Sequence, residues 1–455
     1  MDKVELTTSY RVLMRHTVDV QDTECKPFIH EGLAFRAPKV YSTAPRCAAP
    51  SCPVLYRRTI VFSVALDTSA LDRSFKSHAQ RGIGRYVAAL KHYFDARRGG
   101  PVEVGFFNHT SFASGRIAKP LLKVLPAGVN IVRQHMLCPV QLATGAPRRF
   151  DVVHFPAHMD APAWSMKRCI VTVLDLIPLI LQELYLPERG HFQFHVARWL
   201  ERRAIRHAAL VLAISENTAR DVHHLLDIPC ERIVVTPLGV DERFHRAALG
   251  VPETVLRERY GIPLRRPIIL YVGGIDQRKN YPALVETVRQ LLASGAFGDN
   301  PPVLVMAGQI QDDRQYPKLN AIIAARGVTD AVILPGFVPD EDLLQLYTIS
   351  AVFFFPSLYE GFGLPPLEAM AVGVPVVSSN TSCMPEILGN AAVFIDPHDT
   401  AAAAREIHAL LTDPQRAACF RERGKRRARL FTWERTGEST VRAYELLARA
   451  AGLAA

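Results

Sequence analysis

The stretch "FFFPSLYEGFGLPPLEAMAVGVPVVSS" occupies Phe353–Ser379. Two apolar runs rich in aromatic and β-branched residues flank a centre punctuated by Gly and Pro. The outer runs read as strands buried on both faces. Pro365 and Pro366 forbid one continuous helix from Glu360 to Glu368. Proline suits a helix's first positions and glycine its end, so the spacing predicts a short helix from near Pro365 to Gly373. Glu360 then sits in the loop at a strand's C-terminal end, and Glu368 in the helix's first turn. Strand, loop, helix and strand in this order form the repeating unit of a parallel α/β sheet. A carboxylate in so apolar a frame costs several kcal/mol unless something binds it. The two acids therefore mark a candidate site.

The same grammar extends outward. "PIILYVGGI", "PVLVMAG", "AVILPGFV" and "AAVFIDP" add strands to this unit, and "YPALVETVRQLLAS" and "DEDLLQLYTIS" add helices. An earlier unit reads alike. "TIVFSVALDTS", "PVEVGFFN", "NIVRQ", "FDVVHF", "KRCIVTVLD" and "ALVLAIS" are its strands, and "RGIGRYVAALKHYF" is a Gly turn leading into an amphipathic helix. The chain thus divides into an extension (1–58), a first α/β domain (59–245), a second (246–430) and a C-terminal helix (431–455) expected to brace the first domain. Two doubly wound sheets bind ligands at the C-terminal ends of their strands, across the cleft where they face each other. The extension holds "APRCAAPSCP", which continues neither a helix nor a central strand.

Composition sets outer limits. The chain has 455 residues, 49% hydrophobic and 22% charged, a normal globular balance that suits two domains. No apolar run reaches membrane-spanning length, and the N-terminus lacks the basic-then-apolar order of a signal peptide. A cytoplasmic protein is the expectation. The eight cysteines form no CxxC pair, so they read as ordinary thiols rather than zinc ligands. The net charge of +10 has no nucleic-acid motif beside it. Phosphorylated substrates and an anionic membrane surface are the expected partners, nucleic acid is not.

Between the two acids, "GFGL" (Gly361, Phe362, Gly363, Leu364) offers backbone N–H groups beside a positive helix end, which is a phosphate cradle. Carboxylates beside such a cradle accept hydrogen bonds from sugar hydroxyls. A nucleotide sugar combines ribose, diphosphate and hexose and fits both. "YVGGIDQRKN" places Gly273 and Gly274 in a strand-end turn, followed by Arg278 and Lys279, two cations suited to a diphosphate. "QRGIGRYV" supplies the matching turn of the first domain, where Gly82 and Gly84 let backbone approach a ligand closely. Each feature also has a plainer reading, as a helix-capping acid, a solvated basic pair or a simple turn.

Taken in order, these motifs resemble the retaining glycosyltransferases of family four. "EGFGLPPLE" resembles that family's E-x7-E motif, and "YVGGIDQRKN" the phosphate loop of its bacterial mannosyltransferase-like members. "AISENTARDV", "RIVVTPLGVDERF" and "HAQRGIGRYV" resemble its first-domain segments. The resemblance covers roughly residues 59–445. It implies the GT-B fold, in which two Rossmann-like domains face each other across a cleft. It implies transfer of a hexose, mannose favoured, from a nucleotide diphosphate sugar to a saccharide or lipid-linked saccharide, in polysaccharide or lipopolysaccharide assembly. By the same resemblance, Glu360 faces the sugar hydroxyls and Glu368 holds the ribose. Lys279 with Arg278 neutralises the diphosphate, and the GFGL amides, Gly273 and Gly274 line the donor site. Gly82 and Gly84 close from the other domain. No metal or other cofactor is expected, because cations and amides replace it.

The chain departs from the pattern at "VTVLDLIPL", where the family usually carries a histidine and this chain has Leu174. His154, His158 and the neighbouring Asp175 are the candidates for that side of the cleft. Gly274 stands where many members have Arg. Two rivals stay open: a non-catalytic nucleotide-sugar binder, and a glycoside hydrolase using the two carboxylates. Finally, "ERGHFQFHVARWLERRAIRHA" combines Phe192, Phe194 and Trp199 with Arg198, Arg202, Arg203 and Arg206. It reads as a helix suited to a membrane interface, or as an ordinary domain helix with a basic face.

Overall fold

The computed structural model describes residues 62–72, 82–97, 102–110, 133–164, 168–185, 191–248 and 250–452. The extension read over residues 1–58 lies outside them. Two parallel six-stranded sheets organise the chain. The first runs in the order β2-β1-β3-β4-β5-β6, with β1 Phe62–Asp67, β2 Val102–Phe107, β3 Val152–Phe155, β4 Arg168–Val173, β5 Leu210–Ala213 and β6 Ile233–Val235. The second runs β12-β11-β10-β7-β8-β9, with β7 Ile268–Val272, β8 Val303–Ala307, β9 Val332–Ile333, β10 Val352–Phe355, β11 Val376–Ser379 and β12 Ala392–Ile395. Both sheets belong to one compact unit.

The central strands are apolar on both faces because helices cover both. Phe353, Phe354 and Phe355 in β10 are fully buried, as are Ile268, Ile269, Leu270 and Tyr271 in β7. Each such side chain contributes about 1.5–3 kcal/mol of transfer free energy. The helices that matter for the site are α1 Gly82–Asp95, α2 His191–His207, α3 Glu216–Leu226, α4 Tyr281–Ala293, α5 Asp340–Thr348, α6 Leu364–Val372 and α7 Trp433–Ala450. Helix α7 returns to the first sheet. Its Tyr444 stacks on Phe94 at 5.9 Å, and a Cβ on its Gly437 would fall 2.3 Å from the Tyr93 ring.

Three local expectations change. In "NIVRQ", Arg133 and Gln134 open a helical turn over Arg133–Leu137 rather than a strand; the other three residues lie outside the described set. Gly82 and Gly84 lie inside the first turn of α1 rather than in a loop before it. Helix α6 starts one residue before Pro365, because Gly363 takes a left-handed conformation (φ 89°) that turns the chain into it. Glu368 is therefore the helix's fifth residue, and no acid occupies the first turn.

Candidate functional site

In the second sheet β7 lies between β8 and β10. The chain leaves β7 toward one side and returns to β10 on the other, so the loops beyond these two strands part around a crevice, the usual ligand position in such sheets. Those loops carry "GGIDQRKN" and "PSLYEGFG". They are also tied together. Leu358 N donates to the Arg278 carbonyl at 2.7 Å, and Asn280 Nδ2 donates to the Pro356 and Pro397 carbonyls at 3.2 and 2.8 Å. Asn280 adopts φ 55°, which lets the chain turn from the short Gln277–Lys279 helical turn into α4. Asp276 caps that turn by accepting from Arg278 N at 3.1 Å.

Glu360 sits at the centre. Lys279 Nζ lies 2.6 Å from its Oε1, and Arg278 lies 2.7 Å from its Oε2. Burial alone would raise this carboxyl's pKa, but the two cations overcome it and hold it down to about 2. Ser382 Oγ accepts from the Glu360 backbone N–H at 3.1 Å, and the Cys383 thiol donates to its carbonyl at 3.2 Å. The acid is charged, nearly buried and fixed at both backbone ends. Beyond it, the Phe362 ring is buried edge-on to Phe431 at 5.8 Å. Gly363 holds φ 89°, a conformation strained for any L side chain, so this bend favours glycine; a Cβ there would also push the flexible end of Met384, whose Cε lies 2.4 Å away. A Cβ on Gly274 would meet nothing within 4 Å, so that face of the β7 loop is open; Gly273 takes φ 151°, strained for any L side chain, with its Cβ position 3.0 Å from the Tyr271 hydroxyl.

Glu368 does not cap its helix. Its Oε1 lies 2.5 Å from Arg85 Nη1 on α1, across the boundary between the two sheets, and its Oε2 accepts from Tyr347 OH at 3.2 Å. Burial pushes this carboxyl's pKa up, against the pull of Arg85. Gly82 lies close by, with its Cβ position 3.9 Å from Leu364 Cδ1.

The first sheet also reaches the Glu360 loop directly. A Cβ on Gly361 would lie 2.1 Å from the Leu174 carbonyl oxygen and 3.1 Å from Asp175 Cβ. Asp175 shares its surroundings with Arg278, Glu360 and Lys279, and burial raises its pKa more than Arg278 lowers it. Tyr185 OH donates to Asp276 Oδ1 at 2.8 Å. Glu386 accepts from the Glu216 and Asn217 N–H groups at 2.8 and 3.0 Å, capping α3 from the other domain. Tyr359 OH joins Asp221 and Asn217.

Glu360, Lys279, Arg278, Gly361 and Asp175 thus converge, and Glu368, Leu364 and Gly82 form a second group around Arg85. The histidines do not join them. His154 is fully buried, with Nδ1 2.6 Å from Tyr444 OH and Nε2 2.8 Å from Thr172 Oγ1, and burial lowers its pKa to about 3. Both ring nitrogens are used, so it is a core residue. His158 is buried with Arg198 and Asp160 as its charged neighbours, and burial takes its pKa to about 4. In α2, Phe194 is buried while Phe192 and Trp199 are 80% and 56% exposed, because only one stripe of the helix meets the sheet.

Sequence reasoning did not single out Arg85, Tyr347, Ser382, Asn280 or Tyr185. Arg85 had a signal, as a lone cation directly after the "GIG" turn. The others act through contacts between residues 21 to 117 positions apart, which no local pattern announces.

Comparison with known proteins gives two family-model matches: "Glycosyltransferase Family 4" over residues 80–244 and "Glycosyl transferases group 1" over residues 253–427. The chain is 32% identical over 286 residues to the O-antigen chain mannosyltransferase B of Escherichia coli, covering 62% of this chain and 71% of that one. It is 29% identical over 320 residues to the serotype-specific mannosyltransferase WbdA of Escherichia coli, covering 68% of this chain but only 38% of that one. Among solved structures, sucrose-phosphate synthase from Thermosynechococcus elongatus superposes with a TM-score of 0.64 at 19% identity. That match covers 86% of this chain and all (100%) of that one, and it speaks to the fold alone.

Proposed function

Because the chain belongs to the family 4, group 1 glycosyltransferases, we propose that it moves a hexose, mannose by preference, from a nucleoside diphosphate sugar to an acceptor hydroxyl with retention of configuration. The observation that carries this reading is the convergence of Lys279 and Arg278 on Glu360, beside the GFGL amides and the start of α6. Glu360 accepts from the hexose hydroxyls. Glu368 accepts from the ribose hydroxyls. Lys279 and Arg278 share their charge with the diphosphate as the bond from the anomeric carbon to the phosphate oxygen breaks. The acceptor oxygen bonds to that carbon on the same face, and its proton passes to the departing phosphate. The cations and amides supply the charge stabilisation, so no metal ion is required. Asp175 faces the same cations from the first domain and lies on the acceptor side.

The relatives' names favour mannose as the sugar and an O-antigen-like saccharide as acceptor, and the resemblance of the "RKN" loop favours GDP as its carrier. Among the described residues, no helix is long and apolar enough to cross a membrane. Helix α2 instead presents Phe192 and Trp199 beside exposed Trp164, with the Arg203 guanidinium 5.7 Å from the Trp164 ring and 5.9 Å from the Trp199 ring. This aromatic and basic face fits an anionic membrane surface carrying a lipid-linked acceptor.

The test is thermal stabilisation by GDP, UDP, ADP and their sugar conjugates, with Glu368→Ala as control, followed by transfer assays. Ligand at about 100 times Kd adds about 2.7 kcal/mol of stability. One nucleotide series should stabilise the wild type and much less the variant. Stabilisation without turnover would leave a nucleotide-sugar binder, and no stabilisation would remove the donor site. Liposome flotation at low and high salt tests the α2 face, and binding insensitive to salt and to Trp199→Ala would remove it.

A further inference from the structure

Glu368 is served by two domains. Its helix belongs to the second sheet, and its Oε2 accepts from Tyr347 on α5, also in the second sheet. Its Oε1 lies 2.5 Å from Arg85, on the first helix of the first sheet. Arg85 is itself held, with Nη2 3.5 Å from Asp340, and Asp340 in turn lies 2.8 Å from Arg243. The pairing is therefore set in a small lattice of charges rather than left to a free side chain. Glu368 is 4% exposed, so it has little water to replace a lost partner. We propose that Arg85 is a positioning residue for the donor, holding Glu368 charged and aligned to accept from the ribose diol only when the two domains meet.

The inference rests on the reading that Glu368 takes the ribose. A carboxylate has about four lone-pair sites. Arg85 and Tyr347 engage one on each oxygen, which leaves a pair of sites for two adjacent hydroxyls. The titratable groups around Glu368 are the charged Arg85 from α1, Asp340 from α5 and Arg243 from the segment before the second sheet, and the neutral Tyr347 phenol from α5. Burial raises the Glu368 pKa, Arg85 opposes this most strongly, and Asp340 adds to the rise. Without Arg85 the carboxyl takes up a proton at a higher pH, and a protonated acid is a poorer acceptor for the diol. Donor affinity would then depend on the position of α1, coupling nucleotide binding to domain closure.

The experiment measures dissociation constants of GDP, UDP and ADP, and of their 2′,3′-dideoxy analogues, from pH 5.5 to 8.5. The proteins are wild type, Arg85→Gln and Arg85→Lys. Wild type should prefer the ribose form of its nucleotide over the dideoxy form. Arg85→Gln should lose that preference, weakening the ribose form about tenfold or more while leaving the dideoxy form nearly unchanged. Its loss of binding on acidification should move to higher pH. Arg85→Lys keeps the charge and should restore both the preference and the wild-type pH profile. If wild type shows no preference for ribose, the reading of Glu368 fails, and this inference with it. If wild type shows the preference and Arg85→Gln retains it with an unshifted pH profile, the role of Arg85 is refuted while that of Glu368 stands.

Discussion

Replacing Gly361 by alanine tests the arrangement at its tightest point. The added Cβ would lie 2.1 Å from the Leu174 carbonyl oxygen, whereas ordinary contact begins at 3.4 Å, so the two segments must part by about 1.3 Å. The Leu174 carbonyl is backbone, so no rotamer change relieves the clash. Overpacking of this kind costs about 1–3 kcal/mol. The two sheets relieve it by separating at this point. A penalty of that size lowers the population of the closed arrangement by about 5- to 150-fold. The assay is kcat/KM for the nucleotide sugar that best stabilises the wild type, with calorimetric Tm alongside. We expect kcat/KM to fall by about 5- to 150-fold, while Tm falls by only about 2–6 °C. Binding of the nucleoside diphosphate should weaken as well, because separation of the sheets draws Arg85 away from Glu368. Gly274→Ala serves as a steric control, since its Cβ meets nothing within 4 Å and Tm should not move. Unaltered kcat/KM in Gly361→Ala would show that the contact with Leu174 plays no part in the reactive state.

Two further outcomes follow from the ion pairs and the core. Glu360 titrates in the fold at about 2, below its usual unfolded range near 4.3, so its pairing stabilises fully above the unfolded pKa and is lost as pH falls through about 2. Glu360→Gln should therefore destabilise by about 3–5 kcal/mol at neutral pH, and acid denaturation curves should bring variant and wild type together toward pH 2; a gap that stays constant with pH would refute the pairing. Tyr444→Phe removes the hydroxyl held 2.6 Å from His154. It should cost about 1–3 kcal/mol of stability with kcat unchanged, and a selective loss of kcat would return His154 to the site.

The strands, their burial on both faces and the breaks between them follow from apolar runs set between Gly and Pro, and so do the ends of α6. The same local chemistry marks Glu360, Lys279 and Arg278, because charge at the end of a buried strand is visible in one dimension. The Glu360 cluster spans 81 residues of chain, yet both of its halves sit in quotable motifs. His154 misled because a histidine at a strand end looks the same whether it faces a cleft or a tyrosine 290 residues away. Leu174 drew notice only as a departure from the resembled pattern, and its carbonyl against Gly361 appears only once the sheets are placed together. Arg85 on Glu368 is of the same kind, joining residues 283 apart. Two doubly wound units and the groups at their strand ends are legible in one dimension, since burial and turn chemistry act over a few residues. Which groups of the first sheet meet those of the second is fixed only in three dimensions, because it depends on how the two sheets pack within one compact unit.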